Sequence, residues 1–94
     1  MELTQIALIS KALGDASRVK ILLSISKQKG SYQCSRLKNI LPLAQPSVSH
    51  HIKTLLNAGL IFAEKDGRNH TYHLNKKLWN AYINKLAGLD GSRI

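Results

Sequence analysis

Apolar residues recur along this chain with a helical period in five stretches, and the period changes once. Leu3, Ile6, Leu8, Ile9 and Leu13 make residues 3 to 13 a first helix, apolar around much of its circumference. A short helix with that much apolar surface needs cover from another element or another chain. Gly14 ends it, and Asp15 is a favourable N-cap for a second helix over residues 16 to 28. Val19, Leu22, Leu23 and Ser26 line one face of that helix, with Ile25 beside them. Lys27 and Lys29 suit its C-terminal dipole, and Gly30 closes the segment. Tyr32, Cys34, Leu37, Ile40 and Leu41 predict a short third helix over residues 31 to 41, which Pro42 breaks.

Only Pro42 to Ala44 separate this from a fourth helix over residues 46 to 58, with Gly59 as its C′ residue. Val48, Ile52, Leu55 and Leu56 fall at i, i+4, i+7 and i+8 and share one face. The opposite face carries Pro46, Ser47, His50, Lys53, Thr54 and Asn57; it is polar and basic and has no acid. Pro46 suits the first helical position, where a missing N–H costs nothing. Gln45 is then the N-cap, although Gln is not a favoured capping residue. Its amide can donate and accept at once, as bidentate pairing with adenine requires. Two short helices joined by so tight a turn predict a helix-turn-helix. Gln45, Ser47 and His50 at the leading end, with Lys53 behind, have the chemistry of a helix that reads a major groove. Taken alone, the stretch is equally compatible with an ordinary amphipathic surface helix.

Residues 60 to 65 and 68 to 74 then flank Asp66-Gly67. Asp-Gly between two β-prone runs is a strong hairpin signal. It places Lys65 opposite Arg68 at the tip, with Asn69 adjacent. A basic hairpin directly after a reading helix is a wing that reaches phosphates or the minor groove. Asn75 caps a last helix over residues 76 to 87, with Leu78, Trp79, Tyr82, Ile83 and Leu86 on one broad face. The pattern is mainly α with a small β-hairpin, in the order α-α-α-α-β-β-α.

Ninety-four residues make one domain over residues 1 to 94, with Gly88 to Ile94 as a frayed tail. So small a chain buries a modest core and would gain stability from a subunit interface. Fourteen Lys and Arg against five Asp and Glu give a formal charge of +9. That excess points to a polyanion, nucleic acid before membrane. No apolar run approaches the roughly 18 residues of a membrane span, and the start lacks the basic and apolar pattern of a signal peptide. One cysteine excludes an internal disulfide and suits a reducing compartment. A cytoplasmic protein is expected.

Three local words, in order, resemble those of a known family. Ala12-Leu13-Gly14-Asp15-Ala16-Ser17-Arg18-Val19-Lys20-Ile21-Leu22 is similar to the opening motif of the ArsR-type transcriptional repressors. Gln45-Pro46-Ser47-Val48-Ser49-His50-His51-Ile52-Lys53-Thr54-Leu55 is similar to their recognition-helix motif. Ala58-Gly59-Leu60-Ile61, and Gly67-Arg68 with Tyr72-His73-Leu74, are similar to their wing. The resemblance runs over about residues 5 to 87. It implies a homodimeric winged helix-turn-helix repressor on a two-fold symmetric operator, released by a signal. The first and last helices would then meet across the dimer through Leu3, Ile6, Ile9, Leu78, Trp79, Tyr82, Ile83 and Leu86. The implied DNA contacts are Gln45, Pro46, Ser47, Ser49, His50, His51, Lys53, Thr54, Lys65, Arg68 and Asn69.

Many members of that family sense metals or arsenicals, and the sequence departs from them there. One family site is a Cys-x-Cys pair, whose positions fall here on Gln33 and Ser35, with Cys34 between them. Chelation of a soft ion needs at least two sulfurs, and one Cys per chain does not supply them. The other family site uses Asp and His on the last helix, where residues 76 to 87 contain no Asp, Glu or His. No cofactor and no metal are expected, and the inducer is not legible.

Several residues admit two readings. Cys34 is a core thiol or a redox sensor, and the lack of a resolving cysteine favours the first. His50 faces the groove as a base or phosphate contact. His51, about 100° away, serves packing plus a phosphate bond, or a base contact. His70 and His73, three apart on a strand, point to opposite faces, which weakens a metal site. Ser47 and Ser49 start the helix or touch DNA. Arg18 contacts DNA or pairs internally with Asp15, the better fit for its position. Trp79 is core or interface. The five acids are scattered, with no nucleophile–His–acid arrangement, so an enzyme is not expected. The competing class is a winged-helix module that docks protein or RNA without promoter recognition.

Overall fold

The computed structural model describes residues 1–27, 31–33, 45–67 and 69–91. Helix α1 (Leu3–Ala12) leads through Leu13 and Gly14 into α2 (Ala16–Lys27). Asp15 caps α2 as its chemistry predicts: Oδ1 accepts from the N–H of Ser17 at 2.8 Å and of Arg18 at 3.4 Å. Strand β1 (Ser31–Gln33), helix α3 (Gln45–Asn57), strands β2 (Ile61–Asp66) and β3 (Asn69–Leu74) and helix α4 (Lys76–Ala87) follow. Asn75 caps α4 by accepting from Leu78 N–H at 3.2 Å. Its Nδ2 donates to the Gly59 carbonyl at 3.0 Å, so one side chain also ties α4 to the exit of α3. Gly88–Asp90, read from the sequence as tail, instead add a 3-10 turn to α4.

The predicted third helix is corrected at its start. Ser31–Gln33 are a strand, antiparallel to β3 with Ser31 opposite His73, Tyr32 opposite Tyr72 and Gln33 opposite Thr71. The sheet therefore has three strands in the order β1-β3-β2, and the wing is rooted in the domain through its central strand β3. Three residues are too few to display a period, and their hydrogen bonds come from a distant part of the chain. The remainder of that predicted helix, residues 34 to 41, and the turn over 42 to 44 lie outside the described residues.

The core collects Ile9 and Ala12 of α1, Ile21, Leu22 and Ile25 of α2, and Val48, Ile52 and Leu55 of α3. Ala58, Leu60, Ile61 and Tyr82 complete it. The stripe predicted for α3 is the stripe it buries, with Leu56 half-buried at its edge. On α2 the predicted face is rotated. Ile21, Leu22 and Ile25 are buried, while Leu23 is 57% exposed. Val19, Leu22, Leu23 and Ser26 instead line a groove of about 290 Å³ beside Trp79. This helix is apolar on two sides, and periodicity alone does not choose between them.

The residues expected at a chain–chain interface divide. Ile9 and Tyr82 are buried within a single chain and leave little of their own surface for a partner. Ile6, Leu78, Trp79 and Leu86 are half-buried against the core. Leu3 stays 84% exposed and Ile83 40%, and Leu8 joins them in solvent. Ser10 Oγ and Tyr82 Oη lie 2.9 Å apart, a hydrogen bond that fastens α1 to α4.

Helix α3 ends in a Schellman motif. Leu60 N–H donates to the Leu55 carbonyl at 3.2 Å and Gly59 N–H to that of Leu56 at 3.0 Å. Gly59 sits at φ +79°, and a methyl group there would lie 3.1 Å from Leu78 Cδ2. Gly59→Ala should cost about 1–2 kcal/mol for the left-handed backbone, read as a fall of about 1 M in urea midpoint. An unchanged midpoint would mean that Leu78 yields and the turn relaxes.

Candidate nucleic-acid interface

Burial of the apolar stripe of α3 turns its other face to solvent. Pro46, Ser47, Ser49, His50, Lys53 and Asn57 are exposed, and no acidic residue lies on this helix. The helix begins at Gln45, within one residue of the boundary predicted. Thr54 is half-buried, and its hydroxyl donates back to the His50 carbonyl at 3.0 Å, so its proton is used within the helix. The rings of His50 and His51 have centroids 6.0 Å apart at 54°, and only His50 is fully on the exposed side.

His51 is instead held from behind. Arg18 Nη1 lies 3.2 Å from His51 Nδ1. The same guanidinium donates from Nε to the Ala12 carbonyl at 2.6 Å and from Nη2 to that of Lys11 at 3.3 Å. The expected internal pairing of Arg18 with Asp15 is thus corrected. The Asp15 carboxyl faces the backbone of its own cap, and the guanidinium goes to the open carbonyl end of α1, where a cation is favoured. Nothing in the spacing of Arg18 and His51, 33 residues apart, signals this contact. Desolvation raises the pKa of Asp15, but the Ser17 and Arg18 N–H groups and the nearby His51 and Arg18 side chains hold it below the ordinary value. Its contribution to stability is therefore present above the unfolded carboxylate pKa and fades as pH falls through the folded one.

The hairpin register differs from the prediction by one step. Lys65 lies opposite His70 and Asp66 opposite Asn69, so Asp66 belongs to the strand and not to the loop. Gly67 takes the positive φ, +61°, with nothing within 4 Å of its Cβ position. Lys65 and His70 are exposed; Arg68 lies outside the described residues. His73 stacks on Phe62 at 5.2 Å, with Nε2 buried, unbonded and 3.8 Å from Glu64 Oε2. His70 is exposed and His73 half-buried, in keeping with opposite faces of β3. Among the described residues no three His, Cys, Asp or Glu side chains converge as a metal site would require. None of the helices described is long and apolar enough to cross a membrane.

An exposed, acid-free helix face thus sits one turn ahead of a hairpin whose first strand carries exposed Lys65 just before its last residue, Asp66. A sequence model of the arsR family of bacterial regulatory proteins matches residues 15–62, from the cap of α2 into β2. The chain belongs to the ArsR family. It is 34% identical over 86 residues to an arsenical resistance operon repressor of Staphylococcus aureus, covering 92% of this chain and 81% of that protein. A solved ArsR family transcriptional regulator superposes with a TM-score of 0.78 at 29% identity, over 100% of this chain and 98% of that one. The homodimeric winged helix-turn-helix DNA-binding domain of a possible ArsR-family regulator from Mycobacterium bovis gives a TM-score of 0.73 at 20% identity. That match covers 94% of this chain and 81% of the other, and it is a likeness of fold. This ArsR-family chain is accordingly a winged helix-turn-helix transcriptional regulator of a DNA-binding class. The expected architecture is met in its wing and in the placement of α3.

Proposed function

We propose that the protein is a homodimeric repressor that holds a two-fold symmetric operator, with α3 in the major groove and the wing against the flanking backbone. The carrying observation is the exposed face of α3, where Ser47, Ser49, His50 and Lys53 stand without an acid among them. In this reading Gln45, Ser47 and His50 contact base edges. Pro46 brings the helix start close to the backbone, and Ser49, His51 and Lys53 contact phosphates; Thr54, whose hydroxyl proton goes to the His50 carbonyl, has none to give DNA. Lys65, Arg68 and Asn69 act at the wing. Exposed Leu3, Leu8 and Ile83 supply apolar surface for a second chain, with Ile6, Leu78, Trp79 and Leu86 behind them. The two reading helices would enter successive major grooves about 34 Å apart.

The donor sets of the two metal sites known in the family do not fit this chain. It has a single cysteine, and α4 carries no Asp, Glu or His. The releasing signal is therefore one that neither of those sites would read. Base and phosphate roles separate in one titration series. Lys65→Ala should weaken binding to operator and random duplex alike and lower the salt slope by about one per chain. His50→Ala should mainly reduce discrimination between the two. Equal losses on both duplexes for His50→Ala would overturn its role as a base contact.

A further inference from the structure

We infer that Arg18 is a positioning residue for DNA recognition: it sets the tautomer of His51, so that the reading helix presents an imidazole N–H to a phosphate. This rests on α3 being the reading helix. A guanidinium has five donors and no acceptor. At 3.2 Å from Arg18 Nη1, His51 Nδ1 must therefore accept. The ring proton then resides on Nε2, and Nε2–H is the one donor left to the ring. A phosphate oxygen only accepts, so this tautomer can bind it, whereas the other would set a lone pair against it.

The arrangement is built to hold. Two of the remaining guanidinium donors grip Ala12 O at 2.6 Å and Lys11 O at 3.3 Å, two carbonyls of the last turn of α1. Helix α1 is itself fastened to α4 through Ser10 and Tyr82 at 2.9 Å. Arg18 thus references the imidazole to a frame that exists before DNA arrives. A planar fork reaches three acceptors in fixed directions at once, which an ammonium on a flexible stem does not reproduce. His51 is half-buried, beside exposed His50 and two positions before exposed Lys53, so it stands at the edge of the reading face.

Two measurements test this. Long-range ¹H–¹⁵N spectra of the free protein, at a pH where an ordinary imidazole is neutral, should show His51 with its proton on Nε2. A mixture of tautomers should appear in Arg18→Gln. The second is a double-mutant cycle on a short duplex. Arg18→Gln should lower affinity about tenfold where His51 is present, the scale of one charge-assisted hydrogen bond. In a His51→Gln background, whose amide carries its own donor near the Nε2 position, the loss should shrink below about twofold. Equal losses in both backgrounds would show that Arg18 acts only through the fold and would overturn the proposal alone. A proton on Nδ1 in the unaltered protein would do the same. No duplex binding by the unaltered protein would overturn both this and the recognition role of α3.

Discussion

Lys53→Glu should lower the affinity for duplex DNA by about a hundredfold near 100 mM salt while leaving the fold intact. Lys53 is exposed on α3, away from the stripe of Val48, Ile52 and Leu55 that holds the helix in the core. Its neighbours on that face, Ser49, His50 and Asn57, include no acid that the new carboxylate would repel and no partner that it would rob. Folding should therefore change by no more than about 0.5 kcal/mol. Binding is different. Counterion release is worth about 1 kcal/mol for each phosphate neutralised near 0.1 M salt. A symmetric dimer loses two such contacts and gains two repulsions, which together reach about a hundredfold. Anisotropy titrations at two salt concentrations would check this. A loss below about threefold, in a protein that melts normally, would remove α3 from the duplex surface.

Leu55→Ala should be the most damaging single change within α3. Leu55 has no exposed surface and lies in the core among residues of α1, α2 and α3. Removing its branched end leaves a cavity that a domain this small fills poorly, at a cost of about 3–4 kcal/mol. A domain of this length holds on the order of 5–14 kcal/mol in total. The urea midpoint should fall by about 2 M or more. Leu56→Ala, at the half-buried edge of the same stripe, is the control and should cost less than half as much. Equal costs would mean that the two positions are packed alike, against their different burial.

What could be read before the fold was known follows physical range. The stripe of α3 was legible because four apolar residues at helical spacing admit one buried face. Asn75, Asp15 and Gly59 were legible because a cap or a left-handed turn is a local matter. The failures all involve a choice made elsewhere in the chain. Strand β1 is three residues whose pairing partner is β3. Helix α2 has apolar residues on two sides, and only its packing against α3 and the sheet selects Ile21 and Ile25 over Leu23. The wing register slipped because Asp66-Gly67 marks a turn without fixing which of its residues still pair, and Asp66 pairs with Asn69. For the site, the exposed side chains of α3 could be named from the helical period. The grip of Arg18 on α1 and His51 could not, since it depends on three helices converging.

The empty surroundings of Gly67 carry an evolutionary consequence. Its Cβ position meets nothing within 4 Å, so the tip has open space into which a longer hairpin can extend. Two residues added to each strand preserve the alternation of inner and outer faces and advance the tip by about 7 Å. On one DNA strand that distance is about two nucleotide steps. On the proposed binding mode, relatives built on this frame would change the reach of the wing by whole nucleotides while α3 stays where it is. Footprint length and base preference would then drift independently as paralogues diverge.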